Sequence, residues 1–304
     1  MKKTFNKKTI YSLKIIVFLL SFSFTKSYSQ DLKLAGVQYN NYPNSEIKNN
    51  SESHDISFQE FGGYINFPKK LKNNKTILVN GLGYGYVKAS LDTQLLPFIE
   101  NNKTLQTFNY QFTLLHQWNE KWNILINITP TLASDFEAKI STEDFIFQGA
   151  AVVSLKINTK FKIGSGIGYS ARFGTPRLVP LMNLHYKNNK HQINALLPLS
   201  LKYSYTLLPN NKLELGLKYI LNGAHFNTES TGANNINEIN YSRANIGASA
   251  DYYITKTMRL EAFCGLSAAR TYGAIATDGT EYDFDSETAP FFSLGMVIIT
   301  KKRP

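Results

Sequence analysis

The chain has 304 residues, with 33 Lys and Arg against 22 Asp and Glu and a formal net charge of +11. Its single cysteine, Cys264, excludes an intramolecular disulfide, and at an apolar parity it reads as a small hydrophobe. Residues 1–29 carry six of the lysines and no acid, so 27 basic against 22 acidic residues remain beyond them, a charge of +5. With no basic cluster interleaved with stacking aromatics, nucleic acid is not an expected partner.

Residues 1–29 read as a secretory signal peptide. Lys2, Lys3, Lys7, Lys8 and Lys14 precede an apolar run from Ile15 to Phe24, and Ser27-Tyr28-Ser29 offers small residues for cleavage after Ser29. A helical span needs about 20 apolar residues, which this run does not reach. Residues 30–304 are then expected to form one domain, rich in the Tyr, Phe, Asn, Gly and Thr that suit strands.

Strands are predicted at 32–40, 56–67, 76–89, 104–118, 121–133, 144–157, 160–173, 177–187, 190–207, 212–223, 238–253, 257–270 and 288–300. The pattern is clearest from Leu105 to Leu132. Phe108, Tyr110, Phe112, Leu114 and Trp118 share one parity, opposite Thr107, Asn109, Gln111 and Thr113. After Asn119-Glu120 the alternation resumes with Trp122, Ile124, Ile126, Ile128 and Leu132. A period of two means a strand. One greasy face, one small polar face and tryptophans at a tight turn suit a membrane barrel.

Thirteen strands is an odd number, whereas single-chain barrels have even numbers and both termini in the periplasm. Proline cannot donate to a ladder. A turn at Leu197-Pro198 divides 190–207 into 190–197 and 199–207, which makes fourteen strands. The tight turns at 119–120, 158–159, 188–189, 209–211 and 255–256 then share one end, and the longer connections 41–55, 90–103, 134–143, 224–237 and 271–287 share the other. The alternative is one bent strand and a twelve-stranded barrel with an unpaired N-terminal segment.

Charge sorts the same way. Lys69, Lys70, Lys72, Lys75, Lys121, Lys160, Lys187, Lys190, Lys212 and Lys256 fall at the turn end, against Glu120. Most acids fall at the loop end. The expectation is an all-β fold, a transmembrane antiparallel up-and-down β-barrel in the outer membrane with both termini periplasmic. Its partners would be outer-membrane lipid and lipopolysaccharide, with periplasmic chaperones and the barrel-assembly machinery during export. The sequence does not specify an oligomeric state.

Trp118, Trp122, Phe161, Tyr186, Tyr205 and Tyr252 lie near the turn-side strand ends, where amphipathic rings form an interfacial girdle. The charged residues on the inward parity are Glu60, Lys156, Lys162, Arg172, Lys202, Glu214, Lys218, Arg243, Asp251, Arg259 and Glu261. Lys or Arg facing the bilayer midplane costs about 2–4 kcal/mol, so the interior is their economical place. Two readings follow: a weakly anion-preferring polar channel, or a network of paired charges that plugs the lumen. Gly81, Gly83 and Gly85, and again Gly164, Gly166 and Gly168, alternate within strands. They permit bending and leave room in the lumen, which suits either a pore or space for another inward side chain.

No enzyme is expected. The five histidines are accompanied by no Gly-x-Ser-x-Gly elbow, no His-Glu-x-x-His and no Cys-x-x-Cys. The loop from Asp278 to Glu287 is oxygen-rich, which makes Asp278, Glu281, Asp283 and Asp285 a weak Ca²⁺ candidate without EF-hand order. No other cofactor is expected.

The chain resembles the uncharacterised outer-membrane barrel proteins, of the domain-of-unknown-function class, common in Bacteroidota. The likeness rests on Ser29-Gln30-Asp31, on Leu196-Leu197-Pro198 leading to Leu201-Lys202-Tyr203, on Leu215-Gly216-Leu217, and on Phe292-Ser293-Leu294-Gly295-Met296. It covers essentially the whole mature chain. It implies a fold and a location but no activity. The C-terminus departs from the pattern: barrels of this kind often finish on an aromatic residue, whereas Ile299-Thr300 here runs into Lys301-Lys302-Arg303-Pro304.

The leading functional expectation is a passive or weakly anion-preferring channel for small polar solutes. The rival is a non-conducting structural or adhesion barrel with a charge-filled lumen. An outer-membrane lipid enzyme and a hydrophobic-substrate transporter follow behind.

Overall fold

A computed structural model of the protein describes residues 32–48, 54–91, 102–137, 139–207, 212–228 and 236–300. The expected signal peptide and the C-terminal Lys301-Lys302-Arg303-Pro304 lie outside the described residues. Strands are β1 (Lys33–Glu46), β2 (Asp55–Lys70), β3 (Thr76–Leu91), β4 (Asn102–Gln117), β5 (Trp122–Ser134), β6 (Phe145–Lys156), β7 (Phe161–Ser170) and β8 (Arg177–Asn188). They continue as β9 (His191–Leu197), β10 (Ser200–Thr206), β11 (Leu213–Asn227), β12 (Ile236–Tyr253), β13 (Met258–Ala276), β14 (Glu281–Ser286) and β15 (Ala289–Ile299).

Each strand from β1 to β13 pairs antiparallel with the next, β13 pairs with β15, and β15 pairs with β1, so the sheet closes. Closure leaves no edge, the condition for crossing lipid with strands. β14 and β15 form a single stave. Both run antiparallel to β13, β15 along Met258–Ser267 and β14 along Arg270–Ile275, and the break between them faces the bulge at Ala269, whose φ is 47°. The barrel therefore has fourteen staves.

The turn at Leu197-Pro198 is realised as a hairpin in which Ser200 faces Leu196. The segment 271–287, expected as a loop, is mostly strand. The bulge at Ala269 moves the buried parity from Glu261, Phe263 and Ser267 to Arg270, Tyr272 and Ala274. Read without that shift, the alternation stops at position 270. Tyr272 then stacks on Phe284 of β14 at 5.3 Å, which holds the extended hairpin together. At its far edge Lys48 N donates to Asp285 O at 2.9 Å and Glu287 N to Glu46 O at 2.8 Å, so β1 also runs further than predicted.

β9 and β10 are short, and the wall is low there. β8 meets β9 only from Met182 onward, and β11 meets β10 only as far as Ile220. Above that level the chain folds inward to cover the exposed edges. Leu221 N donates to Leu199 O at 2.9 Å, Asn227 of β11 bridges in parallel to Ser134 of β5, and the β7–β8 connection buries Ala171 and Gly174. Gly223 is where this connection comes closest: a Cβ there would run into the carbonyls of Arg172 and Tyr241.

Outward positions are apolar and exposed, among them Leu82, Phe108, Ile128, Phe147, Ile167, Leu217, Ile246 and Leu294, with Leu178 as much as 71% accessible. A soluble protein does not expose a continuous band of such side chains. Polar and charged groups sit inside: Arg243 and Ser267 are 0% accessible. The pattern is inverted relative to a water-soluble sheet, as a lipid-facing wall requires.

Candidate functional site

The centre of the interior is an ion pair between Arg243 of β12 and Glu60 of β2. The other three donors to Glu60 come from three strands. Tyr241 donates its hydroxyl to Oε1 at 2.9 Å, while Asn40 Nδ2 (2.9 Å) and Asn222 Nδ2 (3.1 Å) donate to Oε2. The Tyr42 hydroxyl accepts from Asn222 at 3.1 Å and from Asn245 at 2.9 Å. The Arg243 guanidinium lies 3.6 Å from the Tyr42 ring centre, 4.6 Å from Tyr241 and 4.8 Å from Phe58. Desolvated cation–π contacts and charge-assisted hydrogen bonds together hold a charge that could not otherwise be buried.

Around this pair runs an apolar cluster that includes Tyr42, Phe58, Val87, Leu105, Ala133, Ile146, Phe226, Phe263, Tyr272 and Phe291. It draws on β1 to β6, β11 to β13 and β15, ten of the fourteen staves. A second cluster of Val152, Val179, Leu181 and Leu199, with Phe173, Leu196 and Leu221 against it, fills the side under the low wall. The first lies toward the loop end of the barrel, and the second reaches Val152 in the turn-side half of β6.

The turn half is charged. Lys202 pairs with Asp251 at 2.7 Å, Arg259 reaches Asp251 at 3.5 Å and also pairs with Glu261, and Lys33 meets Glu261 at 3.1 Å. Lys218 rests its ammonium 4.6 Å over the Phe263 ring. A small cavity of about 40 Å³ lies among Lys33, Lys202, Lys218, Asp251 and Glu261. Glu214 faces Asp251 in register at the end of β11. On the opposite wall Lys156 faces Lys162 in register, with His185 bonded to Asn194 at 2.6 Å and Asn183 donating to Ser154 at 3.0 Å.

Ten of the eleven charged residues expected inside sit on the buried parity of their strands, and Arg172 sits in the inward-folded β7–β8 connection. They divide into the Glu60–Arg243 centre, the Lys202–Glu214–Lys218–Asp251–Arg259–Glu261 group and the Lys156–Lys162 pair. Three features were missed. Arg270 is fully buried and bonded through Nε to the Tyr272 hydroxyl at 2.9 Å, but the bulge hid its parity. Lys33 joins the turn-half network from the very start of β1. The interior aromatic cluster has no sequence expectation behind it: Tyr42 falls in the expected connection 41–55, and Phe58 and Tyr241 carry the inward parity without a charge to mark it.

The glycines of β3 make room for neighbouring inward side chains. A Cβ at Gly83 would meet Asn109 Oδ1 at 2.6 Å, and one at Gly85 would meet Thr107 Oγ1 at 2.5 Å. At the turn end Trp118, Trp122 and Tyr252 are exposed, and Phe161, Tyr186 and Tyr205 partly so. His191 packs edge-on against Tyr205 at 5.0 Å. His116 meets Thr76 Oγ1 at 2.8 Å, but that hydroxyl is buried and also accepts from Asn73 at 2.8 Å, which makes it part of a turn.

Of the acidic loop, Asp278 accepts the Thr280 amide at 2.9 Å, a bond that holds its carboxyl below the usual range. Glu281, Asp283 and Asp285 alternate along the exposed face of β14. Among the described residues no three His, Cys, Asp or Glu side chains converge as a metal cluster.

A family model described as Domain of unknown function (DUF6268) matches residues 7–299. No curated protein matches. The COG4313 outer membrane channel from Pseudomonas putida F1 is similar in structure, with 8% identity, a TM-score of 0.47 and coverage of 90% of this chain and 97% of that one. A FadL homologue of Pseudomonas aeruginosa follows at 8% identity and TM-score 0.45, covering 87% and 89%. Outer membrane phospholipase A of Escherichia coli shows 9% identity and TM-score 0.33, covering 88% and 93%. These are likenesses of barrel fold alone.

Proposed function

The chain belongs to the DUF6268 family, and we propose that it is an outer-membrane barrel whose interior is sealed, a non-conducting structural element with both termini in the periplasm. The membrane location rests on the closed sheet and its outward apolar band. Orientation rests on the lysine-rich short turns at one end and the longer acidic connections at the other.

One observation carries the sealed reading. Arg243, among the largest interior side chains, is fully inaccessible and sits within a cluster fed by ten staves. A weakly anion-preferring passage for small polar solutes would have to run past it. In this reading the interior charges hold strands together, and the loop-end carboxylates face anionic lipopolysaccharide and its bridging cations. The barrel carries out no chemistry of its own.

Proteoliposomes test this. Vesicles containing the folded barrel should swell no faster in small sugars and amino acids than empty ones. Swelling that scales with protein content would restore the channel reading.

A further inference from the structure

We infer that the turn half of the interior holds a site for one small anion of halide size, built by Lys218, Ser249 and Tyr64. The cavity that these residues line with Lys33, Lys202, Asp251 and Glu261 measures about 40 Å³. Its two carboxylates are already committed. Asp251 has Lys202 at 2.7 Å and Arg259 at 3.5 Å, and Glu261 has Lys33 at 3.1 Å together with Arg259.

Lys218 is left over. Among the described residues it pairs with no carboxylate, and its neighbour in register across the sheet is Lys202. Like charges directly opposite each other destabilise a strand pair. The hydroxyls of Ser249 and Tyr64, both buried, also lack a partner among the described residues. Two buried hydroxyls without a partner, and an ammonium that rests 4.6 Å over the Phe263 ring and on no carboxylate, therefore line one cavity, and a buried hydroxyl left unmade costs about 1–3 kcal/mol.

An acceptor with negative charge answers all three at once. Size decides its class: a water needs roughly 10–15 Å³ of such space, so the cavity takes a halide with a water or two and excludes a sugar or a nucleotide. The site does not depend on whether the barrel conducts, since a sealed or an open interior would hold it equally.

The test compares the full mature barrel, folded in detergent, in equal concentrations of sodium chloride, sodium bromide and sodium gluconate. Gluconate keeps the ionic strength and is too large for the cavity. Chloride and bromide should raise the midpoint of heat-induced unfolding above that in gluconate, and crystals grown in bromide should show an anomalous peak beside Lys218. Lys218→Met should remove the halide increment. Should that variant not fold, Ser249→Ala serves, with halide binding weakened roughly 10-fold, about 1.4 kcal/mol. Equal midpoints for wild type in all three salts mean that water fills the cavity, and they overturn the proposal. So does an increment that Lys218→Met and Ser249→Ala both leave unchanged.

Discussion

Replacing Glu60 by Gln probes the interior most sharply. The change keeps the shape but removes the charge that faces Arg243 and leaves one acceptor oxygen where two had served Arg243, Tyr241, Asn40 and Asn222. Arg243 is fully buried, so its guanidinium stays in place without a counter-charge or water. Breaking a buried pair from one side costs about 3–5 kcal/mol, against at most about 1 kcal/mol for an exposed one. The partner variant Arg243→Met should also destabilise, because it leaves a buried carboxylate, though three donors remain to hold that group. The double variant Glu60→Gln with Arg243→Met should be more stable than the sum of the two losses predicts, with a coupling of about 2–3 kcal/mol. Urea unfolding in lipid vesicles, followed through Trp118 and Trp122 at the turn end, reads all four proteins. A Glu60→Gln cost under 1 kcal/mol, or strictly additive losses, would refute the buried-pair reasoning.

Four further outcomes are expected. Ile126 faces outward at 38% exposure; Ile126→Lys should cost about 2–4 kcal/mol in vesicles, where an ordinary water-facing site would change by no more than about 0.5 kcal/mol. Tyr42→Phe removes the acceptor of the buried Asn245 amide and one of the two acceptors of the half-buried Asn222, and should lower unfolding stability by about 1–3 kcal/mol. Gly223→Ala forces a methyl against the Arg172 and Tyr241 carbonyls and should lower it by about 1–3 kcal/mol, whereas Gly279→Ala, with no atom within 4 Å, should lose only what its φ of +83° demands. Cys264 is exposed on the outward parity; a water-soluble maleimide should label it in detergent-free unfolded protein and leave it unmodified in vesicles, and equal labelling would place that wall in water.

Much of this was legible from alternation alone. The parity of Phe108 to Leu132 carried the strands, the even-number rule applied to Pro198 carried the fourteenth, and the same parity put Glu60, Arg243, Asp251, Arg259 and Glu261 inside. What alternation cannot register is a residue that breaks it. The single extra residue at Ala269 reversed the faces beyond it and concealed both Arg270 and β14. Nor does period two distinguish an aromatic ring facing lipid from one facing the lumen, as Phe58 and Tyr241 do at 5.4 Å from each other. The parity they share with Glu60 on β2 and with Arg243 on β12 was the available signal. The bridge between Asn227 and Ser134 joins strands distant in the sheet order and has no local signature at all.

Single-channel recording on the purified, folded barrel in planar bilayers tests the sealed interior most directly. The account predicts no discrete conductance steps from wild type across the voltage range at which the bilayer stays intact. Reproducible steps of fixed size from wild type would contradict it, because ions would then be passing the plane that Arg243, Glu60 and their aromatic cage close.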